Sequence, residues 1–172
     1  LRGFDDRHAQ FQLSNLAVDV TSTWSPLTVR LVLQAGQTPN VYYAAEPSPE
    51  RTSWRHIQQA TLAFKPKADS QWLFETGLFL SPIGPEGIAI KDDWNWSRSN
   101  LFYGLPFYHL GARATHGAGE KHAFTLAAYN GWNNIEDNND RPSISAQWLA
   151  TYNPKLKSSL LYFGGDERST GA

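Results

Sequence analysis

Arg30, Arg55, Glu75 and Arg113 fall on the polar phase of four separate alternating segments, and His109 shares that phase with Arg113. Charged side chains repeated along one face have two uses. On a wall enclosing water they set a field that discriminates solutes by charge; on a soluble sheet they form a hydrated outer face or pair with one another. A second group, Asp92, Asp93, Trp94, Trp96 and Arg98, lies on the link between two such segments. Carboxylates facing an arginine across a passage create a transverse field that orients dipolar solutes. The same tryptophans can instead anchor the loop, and the same charges can simply be hydrated. A third group, Glu136, Asp137 and Asp140 with Asn138 and Asn139, carries oxygen atoms at a density that suits a divalent cation. The calcium-loop spacing with its glycine is absent, so a solvated loop is the expectation and no metal is assigned.

Other chemistries find little support. The five histidines, His8, His56, His109, His116 and His122, show no pair at metal-ligand spacing on one element. For His109 a hydrogen-bonded wall residue is the default. No nucleophile elbow and no phosphate-cradling glycine loop occurs, so no catalytic residue and no cofactor is assigned and the chain is read as no enzyme. Asn95-Trp96-Ser97 matches a three-residue glycosylation acceptor, too short a pattern to carry weight. Trp94, Trp96 and Trp132 would suit a sugar face.

The elements that must position these residues read as strands. From His8 to Trp24 the apolar positions are Ala9, Phe11 and Leu13, then Leu16, Val18 and Val20, which predicts one long strand with a bulge near Asn15. Leu27 to Ala35 alternates without a break; a helix there would put Arg30 and Gln34 in line with Leu27 and Leu31. Residues 38–53, with three prolines, read as an extended loop. Further strands are predicted over Trp54 to Lys65, over Gln71 to Leu80, over Tyr108 to Thr115, over Phe124 to Ala128, over Ile144 to Tyr152 and over Ser158 to about Phe163.

Proline checks the parse independently, because it lacks the N–H a ladder needs. All ten prolines fall in the proposed links. About eight antiparallel strands result, joined alternately by links of a few residues and by longer ones. Tight turns at one end and extended loops at the other are the pattern of a barrel crossing a membrane. A soluble barrel or sandwich can also produce it. Trp24, Phe64, Trp72 and Tyr152 sit at strand ends beside the short turns, at the common depth expected of rings in a headgroup layer.

Composition agrees. The chain has 172 residues, no Cys, no Met, a net charge of −1 and dispersed cations, which argues against nucleic acid and excludes a disulfide frame. No apolar run approaches the length of a membrane-spanning helix, which leaves a strand-built membrane protein open.

The stretch Gly77-Leu78-Phe79-Leu80-Ser81-Pro82-Ile83-Gly84, followed by Asp93-Trp94-Asn95 and Ser97-Arg98-Ser99 and then by His109, Gly111 and Arg113, resembles the OmpL-like outer-membrane β-barrel porins of Gram-negative bacteria. The likeness runs on through Asn130-Gly131-Trp132 and Gly164-Gly165 and covers roughly residues 71 to 167. It implies an all-β, antiparallel up-and-down transmembrane barrel, with this chain as a segment of a larger one. It also implies a passive diffusion channel for small hydrophilic solutes, narrowed by the link carrying Asp92 to Arg98 and set in outer-membrane lipid and lipopolysaccharide, with a homo-oligomer left open. Counting links places both chain ends on the outer side, so strands are expected beyond each end. Two other readings stand beside it: a soluble β-sandwich that binds carbohydrate, and a non-conducting scaffold or adhesion barrel.

Overall fold

In the computed structural model, which describes residue 4 and residues 9–89, 92–95, 97–139 and 141–166, the alternating segments form eight strands of one antiparallel sheet in chain order. The strands are β1 (Leu16–Trp24), β2 (Leu27–Ala35), β3 (Ile57–Phe64), β4 (Trp72–Leu80), β5 (Tyr108–Ala118), β6 (His122–Tyr129), β7 (Ser143–Asn153) and β8 (Leu156–Gly164). Each pairs with the next. The sheet is not closed: β1 and β8 are its two edges.

The register keeps one apolar phase across the whole sheet. Val20 faces Leu31, Leu31 faces Ala60, and Ala60 faces Leu78. Further on, Phe74 faces Ala114, which faces Leu126, then Ala146, then Tyr162. Most of this face is bare, with Leu31 at 38% and Leu62 at 41% exposure. In water each such side chain forgoes part of the about 1.5–3 kcal/mol that full burial supplies. The opposite phase is the more enclosed one: Val32, Phe79, Ala127, Ser143 and Ser145 are buried there. That asymmetry is what a curled sheet produces when its polar phase turns toward the axis and its apolar phase splays outward.

Several boundaries differ from the sequence reading. β1 begins at Leu16, and residues 9–15 are not strand. The phase change near Asn15 marks the end of the ladder, not a bulge inside it; the Leu13 and Ser14 carbonyls instead accept from the Gln37 and Thr38 N–H groups beyond β2. A register shift occurs elsewhere, between Val32 and Leu33 opposite β3. Residues 38–53 are no extended loop, because they contain most of two short helices, α1 (Thr38–Tyr42) and α2 (Ser48–Trp54), each with a proline in its first turn. Proline is well placed there, since the first helical N–H groups have no partner to lose. α2 also consumes Trp54, so β3 starts later than predicted. The long link holds one more helical turn, α3 (Asn100–Tyr103), whose cap Ser99 accepts from the Phe102 N–H. His8, Trp96, Asp140 and the last residues from 167 on lie outside the described residues.

Gly77 and Gly111 face each other across β4 and β5. A Cβ on Gly77 would overlap the Ala60 carbonyl oxygen of β3, and one on Gly111 the Ala128 carbonyl oxygen of β6. Gly77 also holds φ +129, which an L side chain rarely adopts. This rung is therefore a crease that only paired glycines allow. Gly77→Val is expected to abolish the folded, heat-modifiable band on detergent gels. Gly87→Ala, where a Cβ would meet nothing nearer than the Ala89 nitrogen at 4.0 Å, should fold as the parent does; equal behaviour of the two would refute the crease.

Candidate functional site

Only five Asp, Glu, Lys or Arg residues occur in the eight strands: Asp19, Arg30, Glu75, Arg113 and Lys157. All five lie on the phase opposite the exposed apolar one. Glu75 and Arg113 occupy one rung, with Arg113 Nε donating to Glu75 Oε2 at 2.7 Å and Nη2 to Oε1 at 3.0 Å. The Arg113 guanidinium also sits 4.3 Å from the centroid of Phe79. Arg30 makes the second fork, to Asp19, at 3.1 Å through Nε and 2.6 Å through Nη2. Asp19 escaped the sequence reading, although its phase, with Ala17 and Thr21 and against Val18 and Val20, was the available signal. Lys157 stands beside the last short turn.

Two predicted wall residues are placed differently. Arg55 is not on a strand: it follows α2 and precedes β3, where its carbonyl accepts from the Gln34 side chain. His109 holds its predicted phase but has no exposed surface at all. Its Nδ1 lies 2.9 Å from the Gly131 carbonyl and its Nε2 3.1 Å from the Ser81 hydroxyl. A carbonyl can only accept, so Nδ1 carries the proton and Nε2 is free to accept from Ser81. The ring stacks on Tyr129 at 4.5 Å and lies near Phe163, within the small apolar cluster of Phe79, Ala127 and Tyr129. His109 is thus a buried residue that joins β5 to the links before β5 and after β6.

The predicted constriction residues scatter. Trp94 is fully exposed and Asp92 exposed, whereas Asp93 accepts from the Gly87 N–H at 3.2 Å. Arg98 is only 9% exposed; it donates to the Ile88 carbonyl, with its guanidinium 4.5 Å from the Phe4 ring and 5.0 Å from Phe102. Its guanidinium thus lies against aromatic rings. Trp96 lies outside the described residues. In the acidic loop, Asp137 and Asn139 accept from backbone N–H groups two residues on, which makes them turn formers. Among the described residues no three His, Asp or Glu side chains converge as a metal site.

At the loop end the links build a core of their own. Phe4, Tyr42, Tyr43, Ile88, Phe102 and Ile135 pack on Leu78 and Tyr108, with Ile57, Leu80, Phe107 and Leu110 alongside. Tyr43 stacks on Tyr108 at 4.6 Å and donates to the Ile57 carbonyl. Burial raises the Tyr42 and Tyr43 phenols above their ordinary range, which keeps them neutral. Glu46, buried, fastens three pieces: it accepts from Tyr108 Oη at 2.6 Å and from the Ile135 N–H at 2.7 Å. Asn133, in the left-handed region at φ 59, accepts from the Phe107 N–H at 2.5 Å.

The turn end carries four aromatic side chains. Trp24, Phe64, Trp72 and Tyr152 are all exposed at strand ends beside the short turns. Trp72 stacks on Phe74 at 5.9 Å, and both line an apolar groove of about 470 Å³ with Pro66, Lys67 and Ser70.

The family model described as putative beta-barrel porin-2, OmpL-like, matches residues 1–172. No curated protein and no solved structure matches the chain.

Removing the Glu46 carboxylate leaves the buried Ile135 N–H without its partner and Tyr108 Oη with the Asn133 carbonyl in its place, at a cost of about 1–3 kcal/mol. Glu46→Ala should open the long links to limited proteolysis while the strands stay protected. Unchanged cleavage of the links would show that they are held by packing alone.

Proposed function

Since this chain belongs to the OmpL-like β-barrel porin family, matched along all of its 172 residues, we propose that it forms the wall of a bacterial outer-membrane channel. Small hydrophilic solutes diffuse through it passively, with no catalytic step. The observation that carries this reading is the segregation of the strands' side chains: five charges on one phase, bare aliphatic and aromatic groups on the other. A lipid-facing arginine or lysine costs about 2–4 kcal/mol at mid-membrane, so a membrane barrel must sort its strands in this way. A soluble sandwich would need a second layer over Leu31 and Leu62, which remain open. The exposed rings at the turn end and the apolar groove beside Trp72 suit contact with outer-membrane lipid, and Lys67 on the groove's edge suits a phosphate headgroup. Lipopolysaccharide would meet the opposite, loop-bearing end.

The polar phase would then be the solute-facing surface, with Arg30 and the Arg113–Glu75 pair on it, and the long link from Ser81 to Phe107 would shape the entrance. Reconstitution of the full chain into planar bilayers is expected to give discrete conductance steps. A scaffold barrel has the same fold and a blocked lumen. Folded, heat-modifiable protein that inserts and conducts nothing would therefore replace the channel by the scaffold.

A further inference from the structure

The charges on the polar phase are arranged to cancel. Arg30 and Arg113 are each forked to a carboxylate, Asp19 and Glu75, through two contacts at hydrogen-bonding distance. Only Lys157 is left over among the strand charges, at the last short turn. In the long link, Glu86 and Asp93 are occupied by the backbone N–H groups of Ser99 and Gly87. The same phase presents hydroxyls and amides: Gln59 and Thr61 on β3 between the two ion pairs, and, beside and beyond the second pair, the bonded Thr115 and Thr125 on β5 and β6 and Gln147 bonded to Ser159 on β7 and β8.

We infer that this wall is built for uncharged polyhydroxylated solutes of sugar size, and that the Asp19–Arg30 and Glu75–Arg113 pairs are the specificity-determining residues, holding the wall electrically neutral. The inference rests on the channel reading above. A forked pair presents a dipole to the lumen, whose field decays faster than that of a single charge and is screened within roughly 8 Å at physiological salt. An ion entering such a passage sheds hydration and meets no fixed charge to compensate it, whichever its sign. A neutral polyol exchanges its water for donors and acceptors that the wall supplies in both senses, since each hydroxyl and amide can give and take a hydrogen bond.

The test is uptake by liposomes carrying the full chain, with three solutes of nearly equal size: glucose, glucuronate and glucosamine. The parent should pass glucose faster than either ion. Asp19→Asn frees Arg30 on a half-exposed pair, where little stability is at stake; Glu75→Gln frees Arg113. Each should raise glucuronate uptake severalfold relative to glucosamine, and Glu75→Gln combined with Arg113→Gln should restore the parental order. A parent that passes either ion faster than glucose overturns the inference, as does an Asp19→Asn variant with an unaltered ratio of the two ions. Liposomes with folded protein that exclude all three solutes defeat the channel reading itself, and the neutral wall with it.

Discussion

Hydrocarbon offers a peptide group nothing to bond to, and in the proposed channel that single fact would govern the molecule. Every backbone N–H and C=O at membrane depth must find a partner within the protein, which leaves only helices and laterally paired strands. No helix among the described residues is long and apolar enough to span, and the strands form seven consecutive antiparallel pairings. A one-residue slip anywhere would exchange the two phases and send Arg30 or Glu75 to the apolar side. The free edges of β1 and β8 are the points where this requirement still has to be met: in lipid they need strand partners of their own.

The phase constraint also explains where the charges are. With apolar groups claiming every second position, a charge can enter a strand only on the other phase, and neighbouring strands then bring charges within reach of each other. Glu75 and Arg113 meet because they share a rung; two rungs away, the Gly77–Gly111 crease bends the sheet and Phe79 comes under the guanidinium. The geometry that keeps one phase apolar thereby pairs the charges on the other.

Strand order, phase and the turn-end rings were legible because a period of two is directly visible in sequence and because proline marks where a ladder cannot run. Every proline does lie outside the strands. What proline could not tell was what replaces the strand: Pro39 and Pro49 open helices of five and seven residues, too short to show a helical period, and so the segment read as loop. Depth was equally hidden. Alternation gives the side of the sheet and says nothing of how far a residue lies from solvent, which is why His109 and Arg98 looked available and are buried. Asp19 was overlooked for the converse reason: attention to Leu16, Val18 and Val20 left the intervening phase unread.

The two ends of the sheet solve different problems. At the turn end, links of a few residues bring little side-chain mass, and exposed rings wait for a surrounding that is apolar inward and wet outward. At the loop end, the links are long enough to bury Tyr42, Tyr43, Phe102 and Ile135 against Tyr108, and to satisfy the buried Glu46 carboxylate from two directions. Long loops are usually the loosest parts of a fold, with local opening energies near zero. Here they carry a close-packed core, and cores are bistable at best, not continuously deformable. Leu78 and Tyr108 belong to the same phase as Leu31 and Ala60, so the links are fixed by packing against the apolar side of the sheet at this end, and only His109, through Ser81 and Gly131, ties them to the other.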